Sequence, residues 1–302
     1  MQTIPALDED WCMRLLAISD LHLDFKVNRD ALADLPTMPG TGLITGGDLC
    51  TAEHHLRYTL DVLCSRFDKV FWVPGNHELW SSRKMNTEVR LQGEEKYLHL
   101  VAVCREYGVF TPEDPFQSWP MGDGREALVA PLFIPYDYSF RPDDVTLEDA
   151  IPWAMESGVL CSDEKLIKTH PFPSMIEWCH ARYAATVKRL DALPPDRPLV
   201  LINHFPLRHD LVRLKRVPRF SIWCGTQLTE DFHRRYPTEV VISGHLHMRA
   251  TDYRDGVRFE EVSLGYPRDW DQGKGMVYYL REILPSPPRP DDPNHGPHWR
   301  FF

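Results

Sequence analysis

The stretch that decides the fold is FWVPGNHELW, residues 71–80. It begins with three bulky apolar residues, as a buried strand does, and a proline and a glycine then end that strand. An amide, an imidazole and a carboxylate follow at once, in Asn76, His77 and Glu78. A core strand that ends in such side chains brings them to one edge of a sheet, so the stretch predicts a site there.

The chain before this stretch alternates between strands and helix. Apolar runs over 15–18, 43–45 and 70–73 predict strands, and the apolar spacing within 52–67 predicts an amphipathic helix. Strands that alternate with helices indicate βαβ units and a partly parallel sheet. All three runs are followed by polar residues, at the strand ends where such sheets bind ligands.

The remaining two thirds contain further elements and two irregular segments. Apolar patterns predict helices over 84–107, 146–156 and 174–191, and strands over 127–134, 199–202, 239–242 and 276–280. The Asp255-Gly256 pair predicts a hairpin between 248–253 and 257–263. We expect one domain over 1–302, with an irregular insertion at 135–172 and a loosely ordered Pro-rich tail at 285–302. The last aromatic residues of that tail, which are candidates to pack on the body, are Trp299, Phe301 and Phe302.

Bulk properties exclude several classes of protein. The 302 residues are 43% hydrophobic, which is sufficient for a sizeable core. A net charge of −10 counts against a general nucleic-acid coat or a binder of anionic membranes. No apolar run is long enough to span a membrane, and the acidic N-terminus does not resemble a signal peptide. The seven cysteines are scattered and form no CxxC pair, so we expect a reducing, cytoplasmic location.

Five polar clusters follow five predicted strands. They are Asp20-x-His22, Gly47-Asp48, Gly75-Asn76-His77-Glu78, Asn203-His204 and Gly244-His245-x-His247. Each cluster alone has an ordinary interpretation as a helix cap, a turn or a hydrogen-bonded core histidine. Oxygen and nitrogen donors at all five strand ends together predict a metal site.

The order of these clusters resembles the calcineurin-like metallophosphoesterase superfamily, with a match at every ligand position between residues 20 and 247. The resemblance implies an α/β fold, a four-layer α/β/β/α sandwich of two mixed sheets flanked by helices, with two divalent metal ions at the sheet edge. It implies that Asp48 bridges the two metals and that His77 is a catalytic histidine outside the ligand set. The other implied ligands are Asp20, His22 and His247 for one metal, and Asn76, His204 and His245 for the other.

The residue types suit this chemistry. Carboxylate, imidazole and amide donors bind Mn, Fe or Zn, and the sequence leaves the choice among them open. Two such ions would make a bridging hydroxide available to attack phosphorus, with Asp48 therefore both ligand and catalytic residue. His77 would hydrogen-bond a phosphoryl oxygen or protonate the departing oxygen. Glu78 is either a partner that orients an imidazole or a solvated loop carboxylate.

The substrate is less well defined. The stretch GDLCTAE at 47–53 lacks the arginine that Ser/Thr phosphatases of the superfamily carry after the bridging aspartate. Arg83, Arg208 and Arg213 are candidate substrate contacts, and the basic segment after His204 is either a binding site for a second anionic group or a solvated surface. The aromatic residues of the insertion are expected to form a lid, a stacking wall or ordinary core.

The sequence thus predicts metal-dependent hydrolysis of a small or nucleotide-type phosphodiester or phosphomonoester. A nuclease acting on DNA or RNA is the main alternative, and it requires a continuous basic groove. A non-catalytic scaffold with the same fold is a weaker alternative, because every expected ligand is present. No membrane partner is expected, and the oligomeric state is not predicted.

Overall fold

Two mixed β-sheets face each other in the computed structural model, which describes residues 13–81 and 91–300. The strands of the described residues, in chain order, are β1 (Arg14–Ile18), β2 (Met38–Thr45), β3 (Phe67–Trp72), β4 (Gln117–Pro120), β5 (Glu126–Pro131), β6 (Leu199–Ile202), β7 (Thr238–Ser243), β8 (Ala250–Arg254), β9 (Val257–Glu261), β10 (Arg281–Leu284) and β11 (His298–Trp299). The α-helices are α1 (Lys26–Ala33), α2 (Glu53–Arg66), α3 (Asn76–Leu79), α4 (Gly93–Glu106), α5 (Ala150–Glu156), α6 (Asp163–Leu166), α7 (Met175–Asp191) and α8 (Phe232–Arg235).

Both sheets combine parallel and antiparallel pairs. The first has the order β10-β1-β2-β3, with β1, β2 and β3 parallel and β10 antiparallel to β1. The second has the order β11-β8-β9-β7-β6-β5-β4. Its centre, β5-β6-β7-β9, is parallel, while β4, β8 and β11 pair antiparallel.

The alternation of side chains along β1 shows how the layers are built. Leu15 and Ala17 pack between the two sheets, against residues such as Val240 of β7. Leu16 and Ile18 point to the opposite face, where they join the helix-covered core. Successive strand residues face opposite sides, so a strand buried on both faces is an unbroken apolar run.

Helices cover the outer face of each sheet. Leu56, Leu60 and Leu63 of α2 pack on the first sheet together with α4. Cys179 and Leu190 of α7 pack on the second sheet together with α8. The predicted four-layer α/β/β/α sandwich is therefore confirmed.

Most predicted elements are present with shifted ends. The helix expected over 84–107 is α4, which begins at Gly93, while residues 84–90 lie outside the described part of the chain. The strand expected over 127–134 is β5, which ends at Pro131. The insertion at 135–172 is largely irregular and contains the short helices α5 and α6.

The strand predicted over 276–280 is wrong. Met276–Tyr279 form a 3₁₀ helix, and the strand follows them as β10. The two buried side chains of this helix, Met276 and Tyr279, are three residues apart, which is helical rather than strand spacing. β10 begins with two charged residues, Arg281 and Glu282, so its sequence contains no apolar run that would predict a strand.

The Pro-rich tail is better ordered than expected. Backbone hydrogen bonds join Tyr253 N to His295 O at 2.7 Å and Gly256 N to Pro293 O at 2.9 Å. β11 then pairs with β8, and Trp299 lies opposite Ala250, so this residue is joined to the body through its strand. Phe301 and Phe302 lie outside the described residues.

Within 13–81 and 91–300, none of the helices combines the length and the apolar composition that a membrane span requires.

Candidate metal centre and cleft

The carboxyl ends of strands from both sheets converge on one point. The first sheet contributes side chains after β1, β2 and β3, and the second contributes side chains after β6 and β7. These residues are Asp20, His22, Asp48, Asn76, His77, His204, His245 and His247. Ser19 and Ser263, which follow β1 and β9, form a parallel bridge that joins the two sheets beside this point.

The first predicted ligand group is assembled. The Nε2 atoms of His22 and His247 are 3.0 Å apart, and His247 Nε2 is 3.2 Å from Asp20 Oδ1. One donor atom from each of the three residues lies within 4.8 Å of the other two. This spacing allows all three side chains to bind one cation.

The second predicted group is also assembled. His204 Nε2 lies 3.2 Å from Asn76 Oδ1 and 3.6 Å from Asp48 Oδ2. The His245 ring centroid is 5.2 Å from that of His204, and His245 Nε2 is buried without a hydrogen-bond partner among the described residues. A buried imidazole nitrogen without a partner is costly unless it binds something, and a metal ion fits that role.

Asp48 lies between the two groups. It forms one compact set of donors with Asp20 and His204, and another with His22 and His77. Its Oδ1 accepts a hydrogen bond from the backbone N–H of His77 at 2.8 Å. A Cβ on Gly75 would lie 2.1 Å from Asp48 Oδ1, so this approach requires glycine at position 75.

The backbone at this point is strained. Five of the predicted ligands have positive φ angles, between 43° and 71°, a region that non-glycine residues seldom adopt. They are Asp20, His22, Asp48, His245 and His247. Such strain persists only where the surrounding structure imposes it, and it is concentrated at functional sites.

Two imidazoles are oriented by partners at their second nitrogen. His204 Nδ1 is 2.8 Å from Gly46 O, and His247 Nδ1 is 3.1 Å from Asp269 Oδ2. These contacts direct both Nε2 atoms toward the cluster, as in metal sites generally. Asp269 could not be identified from the sequence, because it lies in a loop beyond β9 and not at a strand end.

Glu78 does not have the predicted role of orienting an imidazole, nor is it a solvated loop residue. Its buried carboxylate accepts hydrogen bonds from three backbone N–H groups, those of Asp48 at 2.9 Å, Leu49 at 2.6 Å and Gly75 at 2.8 Å. Glu78 therefore ties the loop after β2 to the loop after β3. Buried backbone N–H groups need a hydrogen-bond acceptor, and in these tight loops the Glu78 carboxylate is that acceptor.

Asp163, in the insertion, orients two residues of the site. It accepts hydrogen bonds from Asn76 Nδ2 at 3.0 Å and from Trp80 Nε1 at 2.6 Å. The first bond leaves Asn76 Oδ1 directed toward His204, and Trp80 stacks on His77 with ring centroids 3.7 Å apart. Neither Asp163 nor Trp80 was singled out from the sequence.

Burial and neighbouring charges shift the pKa values of the cluster. Burial, with Glu78 and Asp20 nearby, raises the pKa of Asp48. Burial lowers the pKa of His77 to about 3, so its imidazole is neutral near pH 7. Burial alone would lower the pKa of His247, but hydrogen bonds to Asp20 and Asp269 raise it to about 10. A bound cation would favour the charged form of Asp48.

A cleft of about 850 Å³ opens over the cluster. Asp48, His77, His245 and His247 lie on its floor, residues 213–217 form one wall, and Trp299 forms part of its lining.

The predicted substrate arginines have other contacts. Arg213 lines the cleft, but its guanidinium binds both oxygens of Asp252, at 2.9 and 2.8 Å. Arg208 is not part of the lining and pairs with Asp210 at 2.8 Å, so its prediction as a substrate contact is not supported. Arg83 lies outside the described residues.

The chain belongs to the calcineurin-like phosphoesterase family, whose model matches residues 13–249. It is a metallophosphoesterase, an enzyme that hydrolyses phosphoester bonds.

Among proteins of known function, the chain is similar to the [acyl-carrier-protein] phosphodiesterase PptH of Mycobacterium tuberculosis. The two are 43% identical over 275 residues, which cover 90% of this chain and 84% of the relative. Among solved structures, it is similar to that of phosphopantetheinyl hydrolase (PptH) from M. tuberculosis, with a TM-score of 0.85 and 42% identity. That match covers 91% of this chain and 96% of the other.

Proposed function

We propose that this enzyme hydrolyses the phosphodiester that joins a phosphopantetheinyl group to an acyl carrier protein. Its relative from Mycobacterium tuberculosis is named both an acyl-carrier-protein phosphodiesterase and a phosphopantetheinyl hydrolase. Similarity at 42–43% identity over nine tenths of this chain supports a shared substrate class.

The proposed reactive centre holds two divalent metal ions, which are Mn, Fe or Zn. Asp20, His22 and His247 would bind one ion, the second set of Asn76, His204 and His245 would bind the other, and Asp48 would contact both. The single observation that carries this assignment is the convergence of these donors from both sheets, with His245 Nε2 buried and without a hydrogen-bond partner in the described part of the chain. When bound, two such ions activate water and neutralise charge on the phosphoryl group.

His77 is proposed to act on the phosphoryl group from beside the ligands. Its Nε2 lies 3.7 Å from Asp48 Oδ2, and the residue lines the cleft. A neutral imidazole offers an N–H donor at neutral pH, which suits a hydrogen bond to a phosphoryl oxygen. Stacking on Trp80 restricts the rotation of the ring.

The cleft fits a substrate much larger than a phosphoryl group. Its volume of about 850 Å³ is within the range of ligand pockets, and Leu214, Val217, Phe220 and Met248 give it an apolar wall. A phosphopantetheinyl arm, with its methyl groups and amides, has the mixed polarity that such a wall accommodates.

Pairing within the basic segment counts against the nuclease alternative. Arg208, Arg213 and Arg219 of the basic segment are each paired with a carboxylate of this chain. Paired arginines of this kind do not form the continuous basic groove that nucleic acid requires.

We also propose a cytoplasmic location. Six cysteines of the described residues are free thiols, which suits a reducing compartment.

The proposed activity is tested with a carrier protein bearing its phosphopantetheinyl group. The purified enzyme, supplied with Mn²⁺, should release phosphopantetheine and return the serine hydroxyl, as shown by intact-protein mass spectrometry. An unchanged carrier protein, under conditions in which bis-p-nitrophenyl phosphate is hydrolysed, would contradict the proposed substrate while leaving the diesterase activity intact.

A further inference from the structure

The cations of the basic segment fall into two groups with different surroundings. Arg213 and Arg219 are held by Asp252 and Glu156, at 2.8 and 3.0 Å. Lys215 and Arg216 lie between them, are exposed, and line the cleft. Neither of these two side chains has an ion pair or a hydrogen bond to any other described residue.

The two held arginines fix a short loop, residues 214–217, at both of its ends. Arg213 makes a two-pronged contact with Asp252 of β8, and Arg219 also lies over the Trp153 ring at 4.7 Å. Inside the loop, Val217 N donates to Leu214 O at 3.2 Å, and the 3₁₀ helix Pro218–Trp223 follows. The 214–217 loop is thus held in place before any partner binds, which reduces the entropy cost of binding.

Apolar side chains accompany the free cations. Val217 is 41% exposed, and Leu214 and Val217 both line the cleft. Exposed cations beside an exposed valine can contact both the acidic and the apolar side chains of a protein surface.

We propose that the 214–217 loop docks an acidic, partly apolar surface of the carrier protein that bears the phosphodiester. This inference rests on the proposed function, because it assigns the protein part of the same substrate. Lys215 and Arg216 bind carboxylates of the carrier, Val217 contacts its apolar side chains, and the attached arm reaches down to the cluster.

The positive charge of this loop contrasts with the negative charge of the whole chain. The chain carries a net charge of −10, so an acidic partner would be repelled by most of its surface. Lys215 and Arg216, which line the cleft, favour the one orientation that brings the scissile bond to the predicted metal ligands. The contact should weaken as ionic strength rises, because exposed charges are screened.

The test is the double charge reversal Lys215→Glu/Arg216→Glu. With phosphopantetheinyl carrier protein, KM should rise about tenfold or more, with kcat within about twofold of the wild type. With bis-p-nitrophenyl phosphate, kcat/KM should fall by a clearly smaller factor than with the carrier protein. Added salt should raise the wild-type KM for the carrier protein and have little effect on that of the variant.

The matched control is Lys188→Glu/Arg234→Glu, which changes the net charge equally at two exposed positions outside the cleft. Equal KM values for the control and the loop variant would overturn the proposal. An equal loss toward both substrates would also overturn it, since the cations would then act on the reacting phosphate. If the wild type hydrolyses the small diester but does not act on the carrier protein, the proposed substrate is contradicted. The carrier protein is then also excluded as the docking partner.

Discussion

The floor of the cleft and its rim, the 214–217 loop, differ in burial and in what holds them in place. On the floor, the ligand side chains are mostly buried and their backbone is strained, because strand ends from two sheets fix them. On the rim, the 214–217 loop is exposed and irregular, and it is held by ion pairs that flank it. Under the proposed function, the floor would determine the reaction, and the rim would determine which molecule presents its phosphodiester.

The largest effect is expected at the centre of the floor. Asp48→Ala removes the carboxylate that lies between both ligand groups, so turnover should fall by at least about 10³-fold and bound metal should be lost. Metal analysis and diesterase assays measure both losses. Asp61→Ala, an exposed carboxylate on α2, is the control, and wild-type metal content in Asp48→Ala would refute the bridging position.

The next largest effect should separate catalysis from metal binding. His77→Gln removes the proposed hydrogen-bond donor to the phosphoryl group, so kcat should fall about 10²-fold while metal content stays near that of the wild type. His54→Gln, on the exposed side of α2, should have no effect. If metal is lost along with activity, His77 belongs to the ligand set instead.

A smaller effect is expected where the insertion supports the floor. Asp163→Asn replaces an acceptor of two hydrogen bonds by an amide that also donates, which disturbs Asn76 and Trp80. Metal affinity should weaken about tenfold, measured by competition with a chelator, with recovery of kcat at saturating Mn²⁺. Asp143→Asn, an exposed residue of the same insertion, is the control. A lower kcat at saturating metal with unchanged affinity would argue against the support role.

The smallest effect is expected at the rim. Trp299→Ala keeps the backbone pairing of β11 but removes a side chain from the cleft lining. KM for the phosphopantetheinyl carrier should rise about three- to fivefold, with no change for bis-p-nitrophenyl phosphate. Steady-state kinetics with both substrates decides this, and Tyr278→Ala is the exposed aromatic control. Equal changes for both substrates would show that Trp299 acts on the reacting phosphodiester and not on the carrier protein.

The same division explains what could be predicted from the sequence. The floor follows from local patterns, because each ligand comes directly after an apolar run that forms a strand. Asp163 and Asp269 could not be found in this way, since they reach the site from loops.

For the rim, the sequence shows only a local basic composition. The basic residues after His204 are evident in the sequence, but which of them are paired depends on distant partners such as Asp252 and Glu156. Arg208, a predicted substrate contact, is paired with its neighbour Asp210, which the basic composition alone could not indicate. The role of Glu78 was missed because backbone N–H groups, its partners, leave no mark in the sequence.

The most direct test of the two-metal floor is anomalous scattering from crystals loaded with Mn²⁺. Two peaks are expected, one among Asp20, His22 and His247, the other among Asn76, His204 and His245, with Asp48 in contact with both. A single peak, or peaks away from these side chains, would contradict the proposed centre.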